Sequence, residues 1–456
     1  MSKTKMDISE KNKSENVKKE TSGKKQFKQN IIISAGSILV ILAVLFTIIF
    51  YSNQGSNVQA RDLMKGISPS KVDAVKLSND FIKSQADFSV ELFKKTILNG
   101  ENTLISPASV YLALAMTANG ADGNTLKEFE KLLGKYGLSM SDINKFSFSY
   151  AAALKDVESG RLNIADSIWY DSERAFKINQ PFLKTNADYF GSAAYNSDFN
   201  SPQTLNDINN WVKSNTGNLI KKLMYKINPD SVMYLINTIY FENEWLKKYG
   251  EQSIGSDYFT TADGKSIKTD FMYSTEFGYL EDDNAKGFVK PYKDEKFSFV
   301  ALLPDKGVSV EDYAATLTGE KLLSILKNKE FVSVKAGLPK FKSEYSKSLI
   351  QPLKAMGLKD CFDETAANLT KMGSVDKDKL GTNLEVKLYV SEVLHKTFIQ
   401  VDGLGTKAGA VTSVRVSPTA SPIRPKEIIL DRPFVYAIVD NDTNLPVFIG
   451  TMNNPG

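Results

Sequence analysis

A strand-forming run that ends in three prolines sets the strongest constraint on what this chain can fold into. From Thr406 the residues alternate. Thr406, Ala408, Ala410, Thr412, Val414 and Val416 fall on one face of an extended chain, and Lys407, Gly409, Val411, Ser413, Arg415 and Ser417 on the other. A period of two, small and apolar against mostly polar, is a strand pattern. Pro418, Pro422 and Pro425 then arrive in quick succession, and residues without an amide donor cannot continue an interior strand. A strand-competent segment therefore runs directly into an exposed, stiffened loop. On the pattern alone, a resident strand followed by a loop fits as well as a segment that changes place.

The other end of the chain is set by charge. Residues 1–30 carry nine Lys against four acids (Asp7, Glu10, Glu15, Glu20) and little apolar content, too little to bury a core. Residues 31–50, IIISAGSILVILAVLFTIIF, hold no charge and, at about 1.5 Å per residue, match the roughly 30 Å hydrocarbon core of a bilayer. They read as a transmembrane signal-anchor helix. The competing reading, a cleavable signal peptide, expects an apolar region of roughly 7–15 residues, and the small-residue site at Val58-Gln59-Ala60 lies well downstream. Lysine excess before the span places the tail in the cytoplasm and the remainder outside, as a single-pass protein of the cell membrane. Residues 51–72 are polar without periodicity and read as a linker, and 73–456 as one domain with no second composition break.

Several function classes are excluded early. The chain carries a net +4; the tail accounts for +5 (nine minus four), leaving −1 for residues 31–456, so no basic field remains for nucleic acid. Cys361 is the only cysteine, which rules out an intrachain disulfide or a thiolate metal cluster, and among Met356, Leu358 and Phe362 it reads as a buried thiol. No G-x-S-x-G occurs, and His395, the only histidine, is by residue type more often a packed or hydrogen-bonded side chain than a ligand or general base. Gly403 to Ala408 fits G-x-G-x-x-A after a strand, but β-branched residues and prolines follow where a dinucleotide fold needs a helix. The reading is a non-enzyme without metal or cofactor.

Periodicity predicts helices over 77–98, from Ser106 through Met116, and over 124–133, 142–157 and 205–223. It predicts strands over 162–170, 232–241, 297–303, 331–335, 388–393, 398–401, 434–439 and 447–451. Helices crowd the first half and strands the second, an order that argues for an α+β fold with large mixed sheets.

At this point the chain resembles a serpin. The block NTLISPASVYLALAMTANGADGNTLKE (102–128) carries the Asn-x-x-x-Ser-Pro-x-Ser stretch, with Ser106, Pro107 and Ser109 in place. INNWVKSNTGNLIKKL (208–223) and LINTIYFENEWLKKY (235–249) follow, the second supplying Asn237 and Trp245. LPKFKSEYSKSLIQPLKAMGLKDCFD (338–363), EVLHK (392–396), GTKAGAVT (405–412), DRPFVYAIVD (431–440) and PVFIGTMNNP (446–455) complete the order.

The resemblance implies three β-sheets, about eight to nine helices and a reactive-centre loop over about 403–430. It also implies suicide inhibition of a serine protease by a metastable monomer. The protease cuts the loop and is held as an acyl-enzyme while the upstream half of the loop inserts into the central sheet. About ten ladder hydrogen bonds at about 0.5–1.5 kcal/mol each would make insertion worth about 5–15 kcal/mol before packing.

The hinge residues it implies are Gly405, Thr406, Ala408, Gly409, Ala410 and Thr412, with Gly403 where an acid is usual, Leu404 unusual beside it, and Lys407 in place of a frequent Glu. Ser106, Ser109, Asn237 and His395 are implied as a network beneath the central sheet, with Trp245 near its top. Counting the family's spacing of about fourteen residues from Gly405 puts the cleaved bond at Thr419–Ala420, followed by the bonds after Ala420 and Ser421, with Arg415 and Arg424 as trypsin-like options. Small residues at the bond point to a subtilisin-like or elastase-like protease. The alternative is a serpin-fold surface carrier that no longer inhibits.

Overall fold

The computed structural model describes residues 58–155, 157, 160–376, 387–406 and 425–456. The tail, the apolar span 31–50 and residues 407–424, which carry Ala408 to Thr412 and the Thr419–Ala420 bond, lie outside the described residues. Among the described residues no helix is long and apolar enough to cross a membrane.

Three sheets carry the domain. The largest has seven strands in the order β1 (Arg61–Asp62), β5 (Ala193–Ser197), β3 (Arg161–Asp171), β6 (Met233–Glu244), β16 (Gly405–Thr406), β15 (Glu392–Val401) and β13 (Phe341–Ser348). A six-stranded sheet follows the order β2 (Thr103–Ile105), β19 (Pro446–Met452), β18 (Phe434–Asp440), β11 (Phe297–Pro304), β10 (Ala285–Pro291) and β9 (Tyr279–Glu281). The third has four strands, β17 (Lys426–Ile429), β12 (Val334–Pro339), β8 (Ser266–Glu276) and β7 (Ile254–Thr260). A two-stranded ribbon, β4 (Phe176–Ile178) with β14 (Gly373–Val375), is additional to the three sheets implied by the resemblance.

Nine α-helices are found among the described residues: α1 (Asn79–Thr96), α2 (Pro107–Ala118), α3 (Gly123–Leu133), α4 (Met140–Lys155), α5 (Gln180–Tyr189), α6 (Pro202–Asn215), α7 (Val310–Thr316), α8 (Gly319–Lys327) and α9 (Ile350–Ala355). Helix α2 explains the architecture. Ser106 caps it by accepting from Ser109 N–H, Pro107 occupies the first turn where no amide partner is needed, and every residue of PASVYLALAMTA is buried. A helix apolar all round must be enclosed. It touches β6 and β3 of the seven-stranded sheet, β19 of the six-stranded sheet, and α1, α3 and α4.

Three expectations are corrected. The helix over 205–223 stops at Asn215, because Gly217 and Asn218 take left-handed conformations that turn the chain. Leu388 to Ser391 are not strand; the two segments drawn over 388–393 and 398–401 are one strand, β15, starting at Glu392. The strand expected over 331–335 starts at Val334 instead.

Residues 60–63 of the segment read as linker are laid along the sheet edge. Arg61 and Asp62 pair with Asn196 and Tyr195, and Ala60 N–H donates to the buried carboxylate of Asp207 on α6 at 2.7 Å. A hydrogen bond to a charged acceptor contributes about 1.5 kcal/mol, so Asp207→Ala should speed amide exchange over 60–63 about tenfold. Unchanged exchange would place the anchor elsewhere.

Candidate functional site

The site is a fork in the seven-stranded sheet. Strands β6 and β15 are parallel neighbours over five pairs, from Tyr234↔Glu392 to Thr238↔Lys396. Above that they separate. The chain leaves β15 at Val401, turns through Asp402 to Leu404, and returns as β16, which sits between the two strands: Gly405↔Glu244 and Thr406↔Asn243 on one side, Val401↔Thr406 on the other. The segment that enters the sheet is thus the beginning of the alternating run, and the residues after Thr406 lie outside the described residues.

Chemistry at this upper junction favours the wedge. A Cβ at Gly405 would meet Asn243 O at 2.1 Å and Glu244 Cα at 2.7 Å, so only glycine passes. The Thr406 side chain is 1 % exposed and its hydroxyl shares a hydrogen bond of 2.5 Å with the Tyr292 hydroxyl. Trp245, stacked on Tyr292 with ring centroids 4.6 Å apart, receives the turn: its indole N–H donates to Asp402 O at 2.8 Å and its amide to Leu404 O at 2.9 Å. The Tyr249 amide donates to Gly403 O at 2.9 Å, and Leu404 N–H to the Asp402 carboxylate at 2.9 Å. In the turn, the carbonyls of Asp402, Gly403 and Leu404 and the amide of Leu404 therefore all have partners.

Gly403 brings no carboxylate to this corner. The buried lysine there, Lys290, lies 4.2 Å from the centroid of the same Tyr249 ring and pairs with buried Glu276 at 2.8 Å. Burial pulls the lysine below its ordinary range, and Glu276 opposes that pull. An acid at 403 is not needed to neutralise it.

One register step below the fork lies the second half of the site. His395 and Asn237 are paired positions on β15 and β6, directly beneath Thr238↔Lys396. Ser106 N–H donates to His395 Nε2 at 3.0 Å, which leaves the ring proton on Nδ1, 2.8 Å from Asn237 Oδ1. Asn237 Oδ1 also accepts a short hydrogen bond from the Ser109 hydroxyl. Its Nδ2 donates to Ser109 O at 3.0 Å and to Asp166 Oδ1 at 2.7 Å. The amide is fully used, and the neutral imidazole is enforced because a second ring proton would face the Ser106 amide. Burial lowers the His395 pKa to about 3 and raises that of Asp166 to about 7, the latter opposed by the Asn237 hydrogen bond.

Ser106, Ser109, Asn237 and His395 thus come together at the base of the fork, while Trp245 lies apart from them, above it. Trp169 stacks on Tyr195 and Trp211 packs in the same smaller cluster, away from the fork. Cys361 is a buried free thiol whose pKa burial raises. Sequence reasoning missed Asp166 and Tyr292. Asp166 did leave a signal: on β3 it shares a face with Leu162, Ile164 and Ile168, where a carboxylate needs a buried partner. Tyr292 left none, since its partner Thr406 is more than a hundred residues away.

A sequence model described as Serpin (serine protease inhibitor) matches residues 83–455. The chain belongs to the serpin family. As a serpin it is a protease inhibitor at the level of the family rather than an enzyme. Among solved structures it is similar to the thermophilic serpin tengpin in the native state, with 46 % identity, a TM-score of 0.82, and cover of 87 % of this chain and 100 % of that one. The latent state of tengpin matches less well, with a TM-score of 0.73 at the same 46 % identity over 84 % of this chain and 100 % of that one. Among curated relatives, leukocyte elastase inhibitor A of Mus musculus is 30 % identical over 387 residues, 81 % of this serpin and 97 % of the relative. An uncharacterised serpin-like protein of Thermococcus kodakarensis is 28 % identical over 414 residues, 89 % and 93 % of the two chains.

Proposed function

We propose that this serpin is a suicide-substrate inhibitor of an extracellular serine protease of subtilisin-like or elastase-like preference. The cleaved bond is Thr419–Ala420, and the upstream half of the loop inserts between β6 and β15. The observation that carries this reading is the wedge itself: Gly405 and Thr406 already occupy the mouth of the gap with their polar groups paired. Residues 408, 410 and 412, on the same face as Thr406, are small and uncharged, so nothing on that face opposes continued entry. The network of Ser106, Ser109, Asn237 and His395 holds the lower strands shut until the loop is cut.

The same proposal holds the protein at the outer face of the cell membrane as a monomer, through residues 31–50. Support comes from a charge-free run of bilayer length preceded by excess lysine. Alkaline carbonate extraction of membranes, with protease shaving from outside, tests the anchor separately.

The decisive experiment incubates the purified chain with a subtilisin, an elastase and trypsin, followed by denaturing gels and mass spectrometry. A covalent complex stable to SDS, releasing a peptide that begins at Ala420, is the expected result. Cleavage with full protease activity and no rise in melting temperature of the cut protein would instead identify a non-inhibitory carrier.

A further inference from the structure

Four lysines with no acid among them stand on the face of the seven-stranded sheet turned away from α2. The stretch from Ile208 to Pro229 holds Lys213, Lys221, Lys222 and Lys226 and no Asp or Glu, in a chain whose residues 31–456 carry a net −1. Local structure explains why they face out. Asn209 on α6 accepts from the amides of Leu223 and Met224 at 2.8 and 3.2 Å and donates to Met224 O at 3.0 Å. That clamp turns Leu223, Met224 and Ile227 into the smaller core cluster and leaves Lys221, Lys222, Tyr225 and Lys226 exposed. Tyr225 is 77 % exposed, with Lys222 Nζ 4.2 Å from its ring centroid. Among the described residues none of the four lysines has a carboxylate partner, and the single carboxylate of α6, Asp207, is buried.

The point where the chain enters the domain says what covers them. Val58 and Ala60 pack against the same cluster, and Ala60 N–H is held by Asp207 of α6. Lys396 Nζ of β15 donates to Lys222 O at 3.0 Å, which lays the lysine loop over β15. Below the fork, β5 and β15 are three strand spacings apart, about 14 Å. The tether is short as well. Eight peptide steps join Phe50 to Val58, a reach of at most about 28 Å. A bilayer crossed by residues 31–50 is therefore within reach of four unpaired lysines and an exposed tyrosine. Ammonium groups within a Debye length of an anionic leaflet are drawn to it, and tyrosine favours the headgroup layer.

We propose that Lys213, Lys221, Lys222, Tyr225 and Lys226 form a seat for the anionic surface of the bilayer that residues 31–50 cross. The groups it takes are the phosphates of lipids with net negative charge. The mouth of the fork lies away from the seat: Thr238 to Glu244 is six residues along β6, about 20 Å. This inference rests on the reading of residues 31–50 as a membrane anchor.

The test reconstitutes the full chain in vesicles of phosphatidylcholine alone and of an equal mixture with phosphatidylglycerol. Cys361 is buried, so Ser214→Cys, exposed on α6 beside Lys213, supplies one reactive thiol for a fluorescent dye. Lipid spin-labelled at the headgroup quenches the dye only at close approach. At 0.1 M salt, quenching in the mixed vesicles should exceed that in phosphatidylcholine about threefold or more, and the excess should vanish at 1 M, where the Debye length is about 3 Å. Replacing all four lysines by glutamine should abolish the excess with the melting temperature unchanged, and the salt series reads the same charge without any substitution. Alkaline carbonate separates the two readings. A chain that carbonate retains in the vesicles, but whose dye is equally quenched in both lipids or in neither, leaves the anchor standing and overturns the seat. Lysine-dependent binding of free polyphosphate beside an unquenched dye would make a soluble polyanion the occupant instead. A chain that carbonate strips from the vesicles refutes the anchor, and the seat falls with it.

Discussion

Thr406→Arg is expected to turn the inhibitor into a substrate. The Thr406 side chain is 1 % exposed, enclosed between β6 and β15, and its one polar neighbour of note is the Tyr292 hydroxyl. A guanidinium there is desolvated, and the nearby Asp294 carboxylate already accepts from Asn243 Nδ2 at 2.8 Å, so burying the charge costs several kcal/mol. Trapping is a race between insertion and hydrolysis of the acyl-enzyme, so about 3 kcal/mol added to the insertion barrier lowers the trapped fraction about a hundredfold. The loop itself is still presented, so its rate of cleavage should stay within about threefold of wild type. Thr406→Val is the control. It keeps the volume but leaves the Tyr292 hydroxyl unpaired, at a cost of about 1–3 kcal/mol, and should trap with a reduced yield. Complex per cleavage, read on denaturing gels, decides the matter. An arginine variant that traps as well as wild type would mean the wedge is not the start of the inserted strand.

What could be read from the sequence was the part governed by local rules. Ser106-Pro107 announced a helix start, and α2 begins there because cap and proline act within one turn. The long apolar runs at 297–303, 434–439 and 447–451 became central strands of the six-stranded sheet, since a strand buried on both faces needs no alternation to be recognised. The resemblance drew Ser106, Ser109, Asn237 and His395 together, which no spacing within the chain could have done. The failures share a cause. The end of α6 at Asn215 depends on two left-handed residues after it, one of them an asparagine, and periodicity continues past both. The short, exposed β7 carries too few apolar residues to stand out, and exists because β8 offers it a full antiparallel ladder. The apolar face around Asp166 signalled that a partner was needed, but which partner, like that of Thr406, is supplied by an element far along the chain and leaves no mark near its own residue.

The strongest stability effect should come from the base of the fork. Asn237→Ala deprives Ser109, Asp166 and His395 of their shared amide at once, leaving several buried polar groups unsatisfied at about 1–3 kcal/mol each. A loss of about 4 kcal/mol, with faster spontaneous loop insertion or polymerisation on warming, is the expected result. His395→Ala should act in the same direction, and an unaltered melting point and inhibition rate would remove the network from any role in sheet opening.

The pH dependence identifies which charges the network holds. Between pH 3.8 and about 7, folded Asp166 keeps a proton that the unfolded chain gives up, so its contribution to stability is lost as pH rises through that window. His395 has the opposite sign: between pH 6.5 and about 3 the unfolded chain takes a proton that the folded imidazole refuses, so stability is lost as pH falls. Where the windows overlap the two slopes offset each other, and wild-type stability owes little pH dependence to this site. Asp166→Asn uncovers the histidine, and its urea midpoint should fall as pH drops from 6.5 toward 4, by up to about 1.4 kcal/mol per unit. His395→Gln uncovers the aspartate, and its midpoint should fall instead as pH rises over the same range. Two variants at one site with opposite pH slopes are hard to produce by packing damage, which shifts midpoints at every pH alike. Parallel profiles for wild type and both variants would show that neither group is held in its uncharged form.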